Sequence, residues 1–364
     1  MAGVPRYEKL RQLLKDKITE SRMQVGDRFH SQNELMRTYG LSFSTVTRAM
    51  NDLVREGILR REQGRGTFVA ALPAARDPLQ SGVRRVAVFI PWDVRSPVHV
   101  SFRRIHATIE ESLPTGCTLR LIPYSDELTR MERFLLSREE TDGVLFVYPH
   151  AEHLGFVQRV ARTQPVVVIG AQPQGDETGC AFTDNRAGAE NAVDHLVAAG
   201  HRTIGLISGA PGMTDTAERL EGYRAALRRH GLIHRESLVV YTHPLELNGY
   251  GALTELFDRN TDLRITAVFA AGDLLAIGAM AAARAMGLRV PGDLSIIGFD
   301  DIEEARGLEP PLTTVHVPIV ELARRATAML VAHADRRERP RVIELPSHIV
   351  ERGTVGPPLP PRDK

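Results

Sequence analysis

Residues 31–69 read SQNELMRTYGLSFSTVTRAMNDLVREGILRREQGRGTFV and carry the signals of two consecutive helices. Ser31 is placed to cap the first helix, with Glu34 three residues later as its reciprocal partner. Ser42 is placed to cap the second helix, after a turn at residues 39–41. The inward face of the second helix is formed by apolar residues at helical spacing: Val46, Met50, Leu53 and Val54. The segment therefore predicts a helix-turn-helix.

Two short strands are predicted directly after this pair of helices, at Ile58–Arg61 and Thr67–Val69. Gly64 and Gly66 lie in the connection and supply the positive φ that a hairpin tip needs. A further helix is predicted upstream, where four apolar residues share one face: Tyr7, Leu10, Leu14 and Ile18. Three helices and a two-stranded wing within residues 1–70 make a winged helix, a fold that places its third helix in the major groove of DNA.

Charge is distributed unevenly between this segment and the rest of the chain. Residues 1–70 contain 13 Lys and Arg against 8 Asp and Glu, a net charge of +5, whereas the whole chain carries +1. A basic head on a slightly acidic body is typical of a nucleic-acid binder with a separate sensing or catalytic part.

The winged-helix segment resembles the GntR-type regulators over residues 5–70. The motifs that carry the resemblance are Gly26-Asp27-Arg28, Gly40-Leu41-Ser42, Glu56-Gly57 and Gly64-Arg65-Gly66-Thr67-Phe68-Val69. The resemblance implies DNA contacts from ten residues: Ser31, Asn33, Ser42, Phe43, Ser44, Thr45, Thr47, Gln63, Gly64 and Arg65. Arg48, on the third helix, is expected to contact a phosphate rather than a base.

Three of these positions depart from the common pattern of the family. The family usually has arginine where this chain has Asn33, Phe43 and Thr47, so the guanine reading and phosphate anchoring of those arginines are lost. Asn33 is suited to adenine and Phe43 to a thymine methyl group. The alternative for Phe43 is a partly buried staple on its own helix.

The composition excludes several classes of protein. The chain has 364 residues, 43% of them apolar and 25% charged, which predicts a globular protein of two or three domains. Two cysteines exclude a disulfide framework, and residues 18–363 contain no lysine, which excludes Schiff-base and P-loop lysine chemistry there. The sequence lacks the apolar core of a signal peptide and a stretch long enough to cross a bilayer, so we expect a cytoplasmic protein.

The rest of the chain predicts an α/β body behind a linker at residues 71–82, which could span at most about 40 Å. From residue 83, short apolar runs alternate with helical patterns, and this order demands doubly wound parallel sheets with helices on both faces. The predicted strands are Val86–Ile90, Leu119–Pro123, Val144–Tyr148, Val166–Ile169, Ile204–Ser208, Leu238–Tyr241, Ala267–Phe269 and Ile296–Phe299. The length of the region, residues 83–352, favours two lobes with a cleft over one.

Residues 180–352 resemble the effector domain of the LacI/GalR-type regulators, a relative of periplasmic binding proteins; residues 83–180 match by pattern alone. The motifs include Thr183-Asp184-Asn185, Arg219-Leu220-Glu221-Gly222-Tyr223, Gly298-Phe299-Asp300-Asp301 and Pro311-Leu312-Thr313-Thr314. The resemblance implies three crossings between the lobes, expected near Thr183, Leu312 and Leu345. Lobe one is expected at about 83–183 and 313–340, lobe two at about 184–312 and 341–352, and a disordered tail at 353–364.

The resemblance also places the ligand in the cleft against four residues of lobe two: Asp215, Arg219, Gly272 and Asp300. Asp273, next to Gly272, is a further ligand candidate. An arginine and a carboxylate can bracket adjacent sugar hydroxyls; the alternative for Arg219 and Asp300 is an interlobe or capping ion pair. The family usually has asparagine where this chain has Gly272, so the ligand need not be a simple sugar.

The loop after the first strand of the body supplies three further candidates, because doubly wound sheets place ligands at the carboxyl ends of their strands: Trp92, Asp93 and Ser96. The alternative for Trp92 is a structural anchor of its loop. His150 and His153 are expected to face solvent rather than to bind a metal.

These observations predict a transcriptional regulator, not an enzyme: the motifs GxSxG and HExxH are absent, and the glycines at 205, 209 and 212 have the wrong spacing for a dinucleotide site. We expect a homodimer that reads an inverted repeat of double-stranded operator DNA, without cofactor or metal. We expect a repressor that is released when a sugar or sugar-like effector closes the cleft. The alternatives are an activator or a repressor that needs its ligand, with a non-sugar ligand in either case, or a small-molecule enzyme.

Overall fold

The computed structural model describes residues 7, 10–11, 14–15, 17–18, 23–62, 65–72, 83–90, 100–124, 141–172, 175–243, 246–335 and 339–360. The chain divides into two compact units, residues 1–81 and 82–364, called the head and the body below. Within the described ranges, no helix is long and apolar enough to cross a membrane.

The head is a winged helix, as the sequence predicts. The described residues between 7 and 18 are helical, and they are followed by β1 (Arg28–Phe29), α1 (Gln32–Tyr39), α2 (Phe43–Arg55), β2 (Leu59–Glu62) and β3 (Gly66–Val69). The three strands form an antiparallel sheet in the order β1-β3-β2. Strand β1, only two residues long, was not predicted.

The local signals that predict the helices of the head act as expected. Ser31 and Glu34 form a complete capping box at α1, and Gly40 ends that helix in the left-handed conformation at φ 60°. The hydroxyl of Ser42 accepts a hydrogen bond from the backbone N–H of Thr45 at the start of α2. The apolar faces of the helices meet in one buried core, which includes Leu10, Leu14, Ile18, Leu35, Val46, Met50 and Leu53.

The body contains two parallel sheets of six strands each, with helices on both faces, which confirms the predicted α/β class. The first lobe is built on β4 (Arg85–Ile90), β5 (Thr118–Pro123), β6 (Gly143–Val147), β7 (Val166–Ile169), β8 (Gly179–Phe182) and β14 (Val342–Glu344), in the order β14-β8-β7-β6-β4-β5. Its helices are α3 (Val100–Ser112), α4 (Leu154–Ala161) and α9 (Ile319–Ala334). Strands β6, β7 and β8 are fully buried, as strands covered on both faces must be.

The second lobe is built on β9 (Ile204–Ser208), β10 (Val239–Tyr241), β11 (Ala267–Ala270), β12 (Ser295–Asp300), β13 (Thr313–His316) and β15 (His348–Val350), in the order β10-β9-β11-β12-β13-β15. Its helices are α5 (Asn185–Ala198), α6 (Thr214–Arg229), α7 (Glu246–Asp258) and α8 (Asp273–Ala285). Only β15 is antiparallel to its neighbour.

The structure corrects the predicted lobe boundaries at two strands. Residues 313–316 were assigned to lobe one, but β13 pairs with β12 in the second sheet. Residues 342–344 were assigned to lobe two, but β14 pairs with β8 in the first sheet. The middle crossing therefore lies at residues 317–318 rather than near Leu312, while the other two lie at residues 183–184 and 345–347.

The expected disorder of the tail is wrong for residues 353–360. Thr354 is fully buried; its hydroxyl donates to the carbonyl of Ile296 (2.6 Å) and accepts from the backbone N–H of Thr313 (2.9 Å). The carbonyl of Gly356 lies 2.9 Å from Nε2 of His201, whose pKa is lowered by burial. Residues 361–364 and most of the expected linker, 73–82, lie outside the described residues.

Candidate functional site

The amino-terminal turn of α2 carries a small network of hydroxyl groups beside one exposed ring. Ser42 Oγ lies 3.1 Å from Ser44 Oγ and 2.9 Å from Thr45 Oγ1. Phe43 is 56% exposed, so more than half of the residue lies at the surface of the head. Thr47 Oγ1 accepts a hydrogen bond from Nε2 of Gln32 (3.3 Å), which joins α2 to α1.

Arg48 is exposed and held against the first helical segment. Its guanidinium carbon lies 3.7 Å from the centre of the Tyr7 ring, and Nη2 donates to the Tyr7 hydroxyl at 3.1 Å. Together with Phe43, Ser44 and Thr47, these two residues line a groove of about 640 Å³. The groove thus combines an exposed cation, which suits contact with phosphates, with an apolar ring, which suits contact with base edges.

Three of the remaining DNA-contact candidates, Ser31, Asn33 and Arg65, are exposed on the head. Ser31, through its hydroxyl, is committed to the capping box, and Asn33 is exposed on α1. Arg65, with 76% of its side chain exposed, pairs with Glu62 at 2.7 Å across the base of the wing tip. Gln63 and Gly64 lie outside the described residues.

The effector candidates meet at the carboxyl edge of the second sheet. Asp300 ends β12, Gly272 precedes α8 after β11, and Asp215 and Arg219 lie on α6 after β9. Ligands bind at this edge in open α/β sheets, and the topology brings together residues up to 85 positions apart.

Arg219 lies at the centre of this cluster and is only 5% exposed. Nε donates to Asn185 Oδ1 (3.0 Å) and Nη1 to the carbonyl of Ala271 (2.7 Å). Nη2 lies 3.3 Å from Asp300 Oδ1 and 3.6 Å from Asp215 Oδ2. The guanidinium carbon lies 3.9 Å from the centre of the Phe299 ring, a cation–π contact.

Arg219 is therefore part of an ion-pair cluster within the second lobe. Burial disfavours its charge, but the carboxylates of Asp300 and Asp215 outweigh burial and raise its pKa. Because its nitrogens already have partners, Arg219 orients the two carboxylates. Sequence analysis missed Asn185 and Phe299, which fix the guanidinium.

Asp300 is the most exposed member of the cluster, with 28% of its side chain exposed against 15% for Asp215. Burial raises its pKa to about 6, against the opposing effect of Arg219. Its φ of 112° is a strained conformation for a residue with a side chain. Strained backbone conformations of this kind cluster at functional sites. Here the strained residue carries a carboxylate at the end of a buried strand.

Gly272 leaves space directly beside this carboxylate. Its φ of 179° is extended backbone that any residue adopts, and a Cβ built there meets only Asp300 Oδ2, at 3.6 Å. The backbone thus does not demand glycine, and the missing side chain opens the cleft next to Asp300.

The expectation that Asp273 touches the ligand is contradicted by its position. Asp273 has no exposed surface. Oδ1 accepts from Thr314 Oγ1 (2.5 Å) and Oδ2 from the backbone N–H of Ile302 (2.9 Å). Burial, with the nearby Asp300, raises its pKa well above the usual range. Asp273 joins α8 to β13 and to the segment that follows β12, inside the lobe.

The first lobe contributes Tyr148, which sequence analysis missed. Tyr148 follows β6 with a φ of 45°, and its ring fills the space above Gly170, where a Cβ would come within 2.2 Å of the ring. Burial raises the pKa of its hydroxyl; Asp300 acts in the same direction and Arg219 against it. Tyr148, in the first lobe, is therefore close enough to the ion-pair cluster of the second lobe to interact with its charges. Trp92, Asp93 and Ser96 lie outside the described residues.

The two lobes touch beside this cluster. The backbone N–H of Ala151 donates to the carbonyl of Gly212 (3.0 Å), and Thr214 Oγ1 donates to the carbonyl of Pro149 (3.2 Å). His153, expected to face solvent, is 4% exposed and stacks on Tyr124 with the ring centres 4.5 Å apart. Among the described residues, no group of three His, Cys, Asp or Glu side chains could hold a metal.

A second set of charges surrounds Asp301, the residue after Asp300, near the middle crossing between the lobes. Asp301, buried and with φ 57°, accepts from Arg352, from Nδ1 of His316 (2.9 Å) and from Arg306 (3.3 Å). Burial opposes its charge, but the hydrogen bonds from Arg352 and His316 outweigh this effect and lower its pKa. A cavity of about 260 Å³ lies here, lined by residues of both lobes, including Arg104, Asp300, Arg306 and Val317.

Comparison with known proteins assigns both units. The model of bacterial regulatory proteins of the gntR family matches residues 6–69, and the model of the periplasmic binding protein-like domain matches residues 193–355. The HTH-type transcriptional repressor PurR of Proteus mirabilis is 34% identical over 262 residues, which cover 70% of this chain and 76% of PurR. The chain belongs to the PurR-type transcriptional regulators.

Two further relatives extend the comparison. The HTH-type transcriptional regulator GalR of Escherichia coli K12 is 38% identical to this regulator over 194 residues, covering 53% of the regulator and 56% of GalR. A solved complex of the transcriptional regulator CelR with cellobiose matches with a TM-score of 0.67 and 26% identity, over 86% of the regulator and 91% of that chain. These matches confirm both resemblances found in the sequence.

Proposed function

We propose that this regulator is a ligand-responsive repressor that binds operator DNA with its head and a small effector between the lobes of its body. The observation that carries the proposal is the placement of Asp300 and Asp215. Arg219 orients both carboxylates at the carboxyl edge of the second sheet, and Tyr148 of the first lobe is close enough to interact with their charges. A ligand held by both sides bridges the lobes and favours one arrangement of them.

The effector that fits this cleft is a sugar or a sugar-like polar molecule. Carboxylates accept hydrogen bonds from hydroxyl groups, and Asp300 is partly exposed for this purpose. The space beside Gly272 admits a substituent that an asparagine side chain would exclude. The complex of CelR with cellobiose supports a carbohydrate, because its chain shares the fold at 26% identity.

Head and body are coupled through ligand-dependent closure of the cleft. An effector shifts DNA binding only if it binds the open and closed arrangements with different affinities. We propose that closure releases the operator, and that two copies of the chain read two half-sites of an inverted repeat. The proposed partners are thus double-stranded DNA, the effector and a second copy of this chain.

The test combines ligand and DNA binding on the same protein. A thermal-shift panel of pentoses, hexoses, disaccharides and sugar phosphates identifies a compound that stabilises the wild type; at 100 times its Kd, a ligand adds about 2.7 kcal/mol. Fluorescence anisotropy with duplexes selected from a random library then measures DNA affinity with and without that compound. We expect weaker DNA binding with the compound in the wild type and no response in Asp300→Asn. Tighter DNA binding with the compound would refute release, and a response that survives in Asp300→Asn would refute the site.

A further inference from the structure

We propose that Phe43 determines the sequence specificity of the head by packing on the C5-methyl group of a thymine in the major groove. The inference rests on the proposed function, in which the head binds operator DNA. In most contacts between proteins and bases, a polar side chain recognises the base. Here an apolar ring would do so.

The position of Phe43 suits contact with base edges. It is the first residue of α2, directly after the cap at Ser42, and the amino-terminal residues of a recognition helix reach the base edges. Its side chain is 56% exposed, so the ring is available without any rearrangement of the core.

The polar groups next to this ring are engaged within the head. The hydroxyls of Ser42, Ser44 and Thr45 bond to one another, and Thr47 accepts from Gln32. These bonds hold the side chains around Phe43 in place beside its exposed ring.

The arginines of α2 are held elsewhere. The helix carries arginine only at positions 48 and 55. Arg48 stacks on Tyr7 and donates to its hydroxyl, and Arg55 pairs with Asp52 at 3.2 Å in the last turn. Guanine is read by a bidentate arginine or lysine, and the first turn of α2 offers neither. Thymine is read by apolar contact with its methyl group, which Phe43 offers.

Loss of the contact between Phe43 and one methyl group should lower DNA affinity modestly at one half-site and strongly when both half-sites lose it. Burial of one methyl group corresponds to about a fourfold change in affinity, and two symmetric half-sites multiply this to more than about tenfold. An effect of this size distinguishes the selected thymine from other positions of the operator.

The experiment begins with selection of duplexes from a random library by the full-length wild type and by Phe43→Ala. We expect the wild type to enrich a thymine that Phe43→Ala does not enrich. Val25→Ala serves as the matched control, since Val25 is an exposed apolar side chain of the head (61%) outside α2. Phe43→Leu retains an apolar side chain and is expected to retain part of the thymine preference.

Base analogues then isolate the methyl group. Replacement of the selected thymine by deoxyuridine removes only that group; we expect about fourfold weaker binding per half-site by the wild type and no change for Phe43→Ala. At the same position, 5-methylcytosine should bind the wild type better than cytosine.

The outcomes separate the two proposals. Equal affinity for thymine and deoxyuridine, or equal loss in wild type and Phe43→Ala, would overturn the role of Phe43 while DNA binding itself stands. A wild type that enriches no sequence would refute operator binding by the head. A change of oligomeric state in Phe43→Ala would instead assign the ring to contact between copies of the chain and overturn the inference.

Discussion

Replacement of Arg219 by methionine tests whether the cleft is organised around one buried cation. The side chain is 6% exposed, and its removal leaves Asp215 and Asp300 without their shared partner. Removal of one member of a buried ion pair costs about 3–5 kcal/mol. For a body of this size, that loss corresponds to a fall in Tm of about 6–10 °C.

The cost of this substitution should depend on pH. Burial raises the pKa of Asp300 to about 6, above its ordinary value of 3.8, so the folded state holds a proton that the unfolded state releases in this interval. The stability that this proton contributes is complete below about pH 4 and is lost as the pH rises through 6. The shift corresponds to at most about 3 kcal/mol, because part of the carboxylate remains exposed.

Loss of the guanidinium raises the pKa of Asp300 further and keeps its carboxyl group neutral over a wider range. Denaturant unfolding of Arg219→Met should therefore show a smaller loss of stability at pH 5.5 than at pH 8. Arg228→Met is the matched control on the same helix, since Arg228 is 63% exposed and its change should stay within about 0.5 kcal/mol. If Arg219→Met lost less than about 1 kcal/mol of unfolding free energy, or lost the same amount at both pH values, the cleft would not be organised around the Arg219 guanidinium.

Three further substitutions test other parts of the molecule. Arg65→Ala removes an exposed cation of the wing and should weaken DNA binding severalfold in fluorescence anisotropy, with an unchanged effector Kd in calorimetry; unchanged DNA affinity would place the wing away from the duplex. Thr354→Val removes a buried hydroxyl and leaves the N–H of Thr313 and the carbonyl of Ile296 unpaired, so chemical denaturation should show a loss of about 1–3 kcal/mol, whereas a disordered tail predicts none. Gly222→Ala places a Cβ 2.2 Å from the carbonyl oxygen of Arg186 where α5 and α6 cross; it should lower the Tm of the body, and an unchanged Tm would show that the helices separate freely.

The head was predictable from the sequence because its signals are local. The capping box of Ser31 and Glu34, the cap at Ser42 and the turn at Gly40 each involve residues within a few positions of one another. The α/β class of the body was predictable for a similar reason, since alternating strands and helices leave few arrangements.

The lobe boundaries were not predictable, because they depend on pairing between distant segments. Strand β13 belongs to the second sheet through its partner β12, and β14 belongs to the first through β8, more than 150 residues earlier. The residues of the short strands at 313–316 and 342–344 do not indicate which strand each will pair with. The order of the tail likewise depends on Thr354, whose hydrogen bonds reach Ile296 and Thr313.

The cleft was predicted in part. The resemblance of motifs placed Asp215, Arg219 and Asp300 near one another, and the structure brings them together. The candidate Asp273 was wrong, because hydrogen bonds to β13 and to the segment after β12 hold its carboxylate inside the lobe. Tyr148 was missed, although it directly follows a fully buried strand, the position from which candidates were drawn after the first strand of the body.

The central claim is that a ligand in the cleft controls DNA binding by the head. The most direct measurement is the affinity of the wild type for a selected operator duplex, by fluorescence anisotropy, with increasing amounts of the sugar that most stabilises the protein in the thermal-shift panel. We expect at least about a tenfold rise in the Kd for DNA at saturation, a coupling of about 1.4 kcal/mol, and no rise in Asp300→Asn. An unchanged Kd for DNA while the sugar is bound to the body would contradict this claim.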